Sequence, residues 1–565
     1  MRLLQFIEKE SSKPYKQILL IVIIAGIANS LLLGIVNHAT QAVADNENLT
    51  QYFWLYMVAL ALFLYAQWFA FERAIITIEG AIYNVRIRLT RKIRQVELPF
   101  MEEQGSNSLY ARFTQSDMLI SQAIPQITGA AQMSVLLIFS FLYLAYISYL
   151  SFLISMAGML VSAALFLTKT RRIKALLQEV KQKEVNYFKS ISHLINGFKE
   201  VKINRKKGRA ILQNIATESA EIEKIKLEVG KQESRLWGHG RVLVYTLLPV
   251  LIFVIPSISD IHTDNIYKIS STILFLTGPI AILINTMPVL NRVNLSIDEL
   301  VSLEAEMDQV ISKAFSGHNG DDKEEESSNL IFSDFKEISM KNVSFTYTSD
   351  FGNSSDADAD SDSGKGNSSD FSAGPFNETI YKGELLFIIG GNGSGKSTYL
   401  KLLTGLYYPD NSPENSNLFV DSIAIDKTSY PAYRDLFSAI FTDFHLFDKF
   451  YGIENIDSGK VNCWLEKMKM QGKVEYKNGG FTRTSLSTGQ RKRLAFIAAI
   501  LEDKPILVMD EFAADQDPQF RQYFYETLLP EIKAMGKTVV AVTHDDHYFH
   551  VADRILKMEE GRMVK

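Results

Sequence analysis

The chain has 565 residues, a formal net charge of −5 and a hydrophobic content of 47%. This length is too great for one hydrophobic core, so we expect at least two domains. The near-neutral charge argues neither for nor against a nucleic-acid partner, and the single cysteine, Cys463, excludes an intrachain disulfide. The apolar neighbours of Cys463 predict that it is buried as a small apolar side chain.

The first ~300 residues carry six apolar stretches, each near the ~20 residues that a helix needs to cross a bilayer. They cover residues 18–36, 53–71, 124–145, 147–167, 242–258 and 269–290. The third and fourth are almost contiguous, which predicts a tight hairpin. The first could be a cleaved signal peptide, but it is longer than a typical signal sequence and five more stretches follow. We therefore expect a transmembrane domain of six helices over residues 1–303.

Basic residues predict the orientation of this domain. The connections 72–123 and 169–241 are rich in Lys and Arg, whereas 37–52 has neither. Lys and Arg are retained on the cytoplasmic side of a membrane, so both termini and the C-terminal half are expected in the cytoplasm. The basic runs could also be nucleic-acid or anionic-lipid patches. Because orientation alone accounts for them, we expect no nucleic-acid partner.

The two basic connections have structure of their own. Helical spacing over Arg73–Glu97 and Arg171–Asn196 predicts that membrane helices continue into the cytoplasm. Turn-like segments at 98–105 and 195–202 interrupt them, and short helices there could contact a soluble domain. The polar residues 304–329 predict a linker to a soluble domain over 330–565. Within that domain, residues 350–370 are rich in Ser, Asp, Gly and Asn and predict a disordered insertion.

The soluble half contains the pattern G-x-x-x-x-G-K-[ST] between an apolar run and a stretch with helical spacing. In this context backbone N–H groups and a helix N-terminus bind phosphate oxygens. Lys396 would reach the β- and γ-phosphates, and the Ser397 hydroxyl would ligate Mg²⁺. We therefore predict an α/β P-loop NTPase domain. The expected nucleotide-binding residues here are Gly390, Gly391, Asn392, Gly393, Ser394, Gly395, Lys396, Ser397 and Thr398.

Three further groups follow along the chain. Ser487 and Gly489 precede a probable helix and could form a second anion site, for a γ-phosphate. Asp510 and Glu511 end an apolar strand, where one carboxylate can hold Mg²⁺ through water and the other can orient the attacking water. His544 ends another strand, at the edge where parallel sheets place ligands.

The histidine residues in this last group allow a second interpretation. His544, His547 and His550 have a spacing that would also suit a zinc site. A role for His544 beside the γ-phosphate agrees better with the other motifs.

Taken in order, residues 390–398, 486–490, 510–511 and 544 resemble the motifs of ABC-transporter ATPases, and six membrane stretches before one such domain resemble a half-transporter of the exporter type. The resemblance implies an all-α transmembrane bundle of the ABC exporter type, followed by an α/β P-loop ATPase domain that uses ATP and Mg²⁺ to drive transport. It implies that Glu511 and His544 are catalytic, that Tyr347 stacks on adenine, and that the bends after residues 98 and 194 are coupling helices. It adds Gln490 to the signature and Asp517 to the D-loop.

The same resemblance implies a homodimer in the lipid bilayer, with ATP held between Lys396 of one copy and Ser487 of the other. Residues 437–448, 512–518 and 544–549 resemble, more narrowly, the branch of cyclic-peptide exporters associated with pyoverdine, syringomycin and microcin-type peptides. This implies export of a peptide, cyclic peptide or siderophore-type product across the bacterial cytoplasmic (inner) membrane. Export of lipids or hydrophobic drugs is the alternative, and a membrane-tethered regulatory ATPase without transport is a third hypothesis.

The chain departs from the general pattern of the family at three places. Thr442 stands where most members have the Q-loop glutamine, so its contact with Mg²⁺ or water is in question, and Asp443 could share that role. The D-loop reads Ala514-Asp515-Gln516-Asp517 in place of Ser-Ala-Leu-Asp, and Thr488 replaces the second glycine of the signature. Glu511 is kept, so we still expect hydrolysis.

Overall fold

The structure is a computed structural model, and it describes residues 2–10, 15–44, 46–254, 263–314, 332, 334–347, 371–410, 418–426, 428–453 and 455–564. The chain divides into two compact units. The first comprises Met1–Arg91 and Tyr110–Ala305, and the second comprises Lys92–Leu109 and Glu306–Lys565. The short segment 92–109 therefore belongs with the C-terminal half, although it connects two helices of the N-terminal half.

Long helices make up the N-terminal half. They are α1 (Arg2–Glu10), α2 (Tyr15–Ala44), α3 (Thr50–Gln95), α4 (Leu98–Gln104), α5 (Ser106–Ile147), α6 (Tyr149–Asn196), α7 (Phe198–Ile203), α8 (Arg205–Pro249), which runs into a π-helical turn at Val250–Val254, and α9 (Thr263–Ala314). The 48 residues of α6 span roughly 70 Å, more than twice the ~30 Å hydrocarbon core of a bilayer. The predicted helical continuation is confirmed, since α3 runs unbroken to Gln95 and α6 to Asn196.

Helix α3 shows the residue pattern of a membrane helix. In its apolar first half the packed face is made of small side chains, namely the buried Ala59, Ala66 and Ala70. Its large apolar side chains point outward, and Trp54 and Trp68 are 63% and 65% exposed. Small residues let helix backbones approach each other in a bilayer, where lipid gives no hydrophobic reason to bury the large ones.

Four helices among the described residues are long and apolar enough to cross a membrane. They are Lys16–Val43, Thr50–Gln95, Ser116–Ile147 and Lys268–Ser312. The fourth predicted stretch lies in α6, where the apolar segment Tyr149–Val161 is shorter. The fifth extends beyond residue 254, where the described residues stop until 263. The count of six spans therefore stays a prediction.

The predicted breaks between helices are present. Helices α5 and α6 meet at Ser148, whose hydroxyl caps α6 by accepting from the Ser151 N–H at 3.3 Å. The Phe141 and Phe152 rings pack 6.3 Å apart across this hairpin. Short helices occupy both predicted interruptions, as α4 and α7. Helix α9 continues through Ala314, so residues 304–314 of the expected linker are helical. The rest of that linker, residues 315–329, and the predicted insertion at 350–370 lie outside the described residues.

The C-terminal half is an α/β domain. Its strands are β1 (Glu337–Met340), β2 (Val343–Thr346), β3 (Ser372–Phe376), β4 (Thr379–Tyr381), β5 (Leu385–Gly390), β6 (Leu418–Val420), β7 (Ile423–Ala424), β8 (Phe437–Ile440), β9 (Tyr476–Lys477), β10 (Gly480–Phe481), β11 (Ile506–Asp510), β12 (Thr538–Val542), β13 (Arg554–Glu559) and β14 (Arg562–Val564). The main sheet has six strands in the order β14-β13-β5-β12-β11-β8, and the strands from β13 to β8 pair in parallel. A smaller antiparallel sheet has the order β4-β1-β6-β7.

Helices cover this main sheet and give it two apolar layers. They are α10 (Lys396–Leu403), α11 (Tyr430–Arg434), α12 (Ser458–Lys467), α13 (Thr488–Leu501), α14 (Pro518–Tyr523) and α15 (Leu529–Ala534). In β5, Leu386 and Ile388 join one buried cluster, while Leu385 and Phe387 join the other on the opposite face. Burial on both faces explains why this strand is a continuous apolar run in the sequence.

The prediction that Cys463 is buried is wrong. In α12 the buried positions are Val461, Trp464 and Leu465, and Cys463 is exposed. Residues three and four apart share a helix face, and residue 463 lies off the face that 461, 464 and 465 form. The apolar neighbours occupy the buried face of the helix, so the position of Cys463 faces outward.

Candidate active site

The carboxyl ends of the parallel strands bring the predicted motifs to one edge of the main sheet. Strand β11 ends at Asp510, which lies opposite Val542 of β12 in the parallel register. Val542 in turn lies opposite Ile388 of β5. The P-loop after β5, the carboxylates after β11 and His544 after β12 therefore start from adjacent positions. Ligand sites of open parallel sheets form at this edge.

The loop after β5 has a backbone that requires glycine. Gly390 has a φ of +154°, and a Cβ there would lie 2.2 Å from the Met558 carbonyl oxygen. Gly395, with a φ of +97°, precedes the first turn of α10. Gly391, Asn392 and Gly393 are exposed between them. A glycine loop that opens into a helix N-terminus is the arrangement that binds phosphate.

The Lys396 ammonium is folded over this loop. Its Nζ donates to the carbonyl oxygens of Gly390 and Gly391, at 2.9 and 2.8 Å. Burial lowers the pKa of Lys396 from its ordinary value. The cation is thus held by two neutral carbonyl groups in a partly dry place, where a phosphate would be a far stronger partner.

Asp510 provides a place for a divalent cation. Its side chain is 1% exposed, and one carboxylate oxygen, Oδ2, accepts from the Ser397 hydroxyl at 2.8 Å. The other oxygen, Oδ1, is buried without a hydrogen-bond partner in the described structure, and burial raises the pKa of Asp510. A hard cation such as Mg²⁺ takes oxygen ligands of this kind, usually with several waters. The Ser397–Asp510 pair fits Mg²⁺, and its role as the metal site stays a prediction.

Glu511 and His544 face each other next to this pair. The His544 Nε2 lies 3.1 Å from the Glu511 Oε1. Both side chains remain partly exposed, at 43% for His544 and 33% for Glu511, so water can reach the carboxylate. The Glu511 backbone has a φ of +50°, an unfavourable region for a residue with a Cβ. Such strain tends to persist only where the surrounding structure over-determines it.

The signature residues lie at the start of α13. Ser487 caps this helix by accepting from the Gln490 N–H at 3.4 Å, and its side chain is otherwise exposed. Gly489 packs against the turn after β11, where an added Cβ would lie 2.5 Å from the Asp515 carbonyl oxygen. Among the described residues, the hydrogen bonds of Ser487 do not include one with the P-loop. A γ-phosphate site that joins Ser487 to Lys396 therefore stays a prediction.

Comparison with known proteins agrees with this geometry. A family model described as ABC transporter matches residues 374–514. The chain is 30% identical over 568 aligned positions to the ATP-binding protein SyrD of Pseudomonas syringae, which covers 97% of this chain and 93% of that protein. The chain belongs to the ABC transporter family. It is an ABC exporter, and its ATPase activity is coupled to transport.

Other relatives match the ATPase region alone. The ATP-dependent lipid A-core flippase of Paraburkholderia xenovorans is 31% identical over 198 residues, or 33% of this chain and 32% of that protein. The arginine transport ATP-binding protein ArtM of Bacillus subtilis is 33% identical over 197 residues, or 33% of this chain and 81% of that protein. The match with SyrD differs from these two because it also covers the membrane half.

The Q-loop position of this ABC transporter lacks an observed link to the site. Thr442 follows β8 at the same sheet edge, and its side chain is exposed. Within the described part of the chain, its hydroxyl makes no hydrogen bond. The metal role assigned to Thr442 stays a prediction.

Tyr347, the residue expected to stack on adenine, follows β2. Its ring lies edge-on to Phe345 and Tyr407, at centroid distances of 5.1 and 6.0 Å. Its hydroxyl lies 3.2 Å from the Thr398 Oγ1 at the end of the P-loop motif. The structure thus places Tyr347 beside the nucleotide-binding loop.

The unusual D-loop is joined to the signature helix by polar side chains. Lys492 pairs with Asp515 at 2.7 Å and donates to the Glu511 carbonyl oxygen at 2.8 Å. Gln516 Nε2 donates to the Gly489 carbonyl oxygen at 3.0 Å. Two of the three D-loop residues that depart from the family pattern, Asp515 and Gln516, therefore bind the signature helix.

Asp517 closes the same cluster. Its carboxylate caps α14 through the Phe520 N–H and pairs with Arg493 at 2.6 Å. The backbone hydrogen bond and the guanidinium lower the pKa of Asp517. Arg493 also donates to Gln516 Oε1 at 2.8 Å.

Sequence reasoning missed Lys492 and Arg493. Their side chains are almost fully buried, at 4% and 9% exposure, which is rare for such residues unless they are paired. They stand next to Arg491 in a run of three basic residues that is typical of a solvated helix face. One signal in the sequence could have indicated buried partners for these two side chains. The D-loop has polar residues, Asp515 and Gln516, at the positions where the family has Ala and Leu.

Proposed function

We propose that this chain is an ATP-driven efflux pump that exports a peptide, cyclic peptide or siderophore-type product across the cytoplasmic membrane. Two copies would form the transporter, with the N-terminus and the ATPase domain in the cytoplasm. The observation that supports this most is the match with SyrD over both halves of the chain. A resemblance to the cyclic-peptide exporter branch supports the same cargo class. It is found in the segments 437–448, 512–518 and 544–549.

In the proposed mechanism Glu511 is the general base. Its carboxylate would accept a proton from the water that attacks the γ-phosphate, and His544, at 3.1 Å, would hold that carboxylate in place. Lys396 would exchange its two carbonyl partners for phosphate oxygens. Ser397 and Asp510 would hold Mg²⁺, which when bound neutralises charge on the β- and γ-phosphates. Tyr347 would carry the adenine ring.

A second copy would complete the site. Ser487 presents an exposed hydroxyl at the N-terminus of α13, a position that favours an anion. A γ-phosphate held by Lys396 of one copy and Ser487 of the other would join the two ATPase domains. Hydrolysis would remove that bridge and reopen them, so each ATP cycle would switch the membrane helices between two arrangements.

Export of a lipid or hydrophobic drug is the second candidate. It is favoured by the similarity to a protein named as a lipid A-core flippase. That similarity covers only the ATPase region, whereas cargo is selected by the membrane helices. We therefore place it after the peptide-type cargo.

Proteoliposomes with outward-facing ATPase domains would test the cargo class. We expect ATP-dependent accumulation of a fluorescent cyclic nonribosomal peptide inside the vesicles. The matched control is Glu511→Gln, which keeps nearly the shape of the side chain and removes the base, so turnover should fall roughly 100-fold or more. Accumulation that is equal in both proteins would contradict the peptide proposal. ATP-dependent flipping of a fluorescent phospholipid without peptide uptake would favour the second candidate.

A further inference from the structure

The short helix α4 belongs to the ATPase unit, although it lies between two long helices of the membrane unit. It begins after Glu97, and Phe100 is its buried apolar anchor. Two acidic side chains at its ends bind the ATPase domain at separate places. Glu97 contacts Tyr408 and Arg434, at 2.7 and 2.6 Å.

Glu102 makes the contact that leads toward the nucleotide. Its carboxylate pairs with the Lys401 ammonium at 2.7 Å and accepts from the Tyr407 hydroxyl at 2.5 Å. Lys401 lies on α10, the helix that begins at Lys396. Tyr407 is 1% exposed, and burial raises its pKa well above the ordinary value, so its hydroxyl keeps its proton and donates to Glu102.

From Tyr407 a chain of hydroxyl groups reaches the P-loop motif. Tyr347 donates to the Tyr407 oxygen at 3.4 Å. The Tyr347 oxygen lies 3.2 Å from Thr398 Oγ1. Since the Tyr347 proton is used toward Tyr407, Thr398 is the donor in this last bond. All the hydrogen bonds therefore run in one direction, from Thr398 through both tyrosines to the Glu102 carboxylate.

We propose that Glu102 and Tyr407 are positioning residues for ATP, and that α4 sets the affinity of the site for ATP through Tyr347 and Thr398. This hydrogen-bond chain has two fixed ends. One is the Glu102 carboxylate on α4, and the other is the Thr398 hydroxyl, next to Ser397. The ring of Tyr347, whose hydroxyl is in the middle, is the surface offered to adenine. The proposal rests on the ATPase site and is independent of the cargo.

This route does not depend on Thr442. That residue stands where most members of the family have the Q-loop glutamine, and its side chain is exposed. The hydrogen-bond chain Glu102–Tyr407–Tyr347–Thr398 does not include Thr442, and it contains none of Asp510, Glu511 and His544. A displacement of α4 should therefore change ATP binding more than the hydrolysis step. By linkage, ATP binding should in turn favour one placement of α4, with the same coupling free energy.

The test compares ATP KM with kcat for the full chain in lipid nanodiscs. The variants Glu102→Gln, Tyr407→Phe and Tyr347→Phe each remove one group of the chain, and Tyr347→Phe keeps the aromatic ring. We expect each to raise the KM for ATP roughly three- to ten-fold, the value of about one hydrogen bond. We expect kcat to stay within about twofold, because Asp510, Glu511 and His544 are not touched.

A double variant separates positioning from simple docking. In Glu102→Gln/Tyr347→Phe the KM should rise no further than in the stronger single variant, since both changes break the same chain. Glu97→Gln and Tyr408→Phe are the matched controls: they remove equally short contacts of the same helix that do not reach Tyr347. These two should leave the KM for ATP within about twofold of the native value.

Several results would overturn the proposal. One is an unchanged KM in Tyr407→Phe or Glu102→Gln, and another is a loss in kcat alone. If the KM increases of the two single variants multiply in the double variant, Glu102 and Tyr347 act independently. If Glu97→Gln raises the KM for ATP as much as Glu102→Gln does, Glu102 is only a docking contact. Absence of peptide uptake, by contrast, would count against the proposed cargo and would leave this comparison of KM values valid.

Discussion

At the scale of single residues, the backbone of Glu511, the proposed general base, is tied to a buried cation. The Glu511 backbone is held in its strained conformation by Lys492, which donates to its carbonyl oxygen and pairs with Asp515. Lys492 thus joins Glu511 to the D-loop and to α13, the helix that carries the signature. Neither resemblance nor spacing pointed to this residue, because its role depends on contacts between segments that are distant in sequence.

Replacement of Lys492 by methionine should slow hydrolysis. Lys492→Met keeps the length of the side chain but leaves the Glu511 carbonyl and Asp515 without their buried partner, a cost of about 1–3 kcal/mol. We expect kcat to fall roughly ten-fold, with little change in the KM for ATP, because the P-loop and Tyr347 are not involved. Steady-state ATPase measurements on the full chain would check this.

The conservative variant provides the control for Lys492. Lys492→Arg keeps the charge and the donors, so it should recover a large part of kcat. A native kcat in Lys492→Met would contradict the positioning role. An equal loss of kcat in both variants would also contradict it. Such a loss would not depend on the charge of the side chain and would reflect its shape alone.

At the scale of elements, the sequence was most informative where burial is continuous. Strands β5, β11 and β12 are buried on both faces and read as unbroken apolar runs, so their carboxyl ends and the motifs that follow them could be predicted. The break between α5 and α6 was predicted as well, and the structure places it at Ser148.

Contacts between elements were much less predictable. The bonds of Glu102 with Lys401 and Tyr407 join residues about 300 positions apart in the chain, and no local pattern records such a contact. Cys463 was placed inside because its neighbours are apolar, although the helical period turns it outward. The D-loop was seen as a departure from the family, but its partners in α13 could not be inferred from spacing.

The packing of α2 against α5 makes a prediction for the membrane unit. A Cβ added at Gly26 would lie 2.5 Å from Val135 Cβ, so the helices approach too closely for alanine. Gly26→Ala should destabilise this unit by about 1–3 kcal/mol through overpacking. Gly34, on the same helix, has no heavy atom within 4 Å of an added Cβ, so Gly34→Ala is the matched control.

Thermal loss of the folded full chain, followed by gel filtration in detergent, would measure this difference. We expect Gly26→Ala to lose its folded fraction at a clearly lower temperature than the native chain and Gly34→Ala. Equal melting of the two variants would show that α2 and α5 do not pack tightly at Gly26.

At the scale of the whole molecule, the proposed mechanism requires two copies. One chain supplies a complete P-loop, the Ser397–Asp510 pair and the Glu511–His544 pair, but its Ser487 has an exposed hydroxyl whose observed bond is to its own helix. Hydrolysis at a composite site would make each ATP a bridge between copies. This arrangement would explain how a small change at a phosphate can move long helices.

Cross-linking between two distinguishable copies would show whether the ATP site is shared between them. Cys463 is the only cysteine and is exposed, so Cys463→Ser gives a background without thiols. One copy would carry Asn392→Cys in the P-loop, and a second copy with a different tag would carry Ser487→Cys in the signature. Both would contain Glu511→Gln, so that bound ATP is retained. We predict that a short bismaleimide joins the two tags into one covalent dimer, and that ATP increases its yield. Absence of the mixed dimer at saturating ATP, while each thiol still reacts with a monofunctional maleimide, would contradict the composite site.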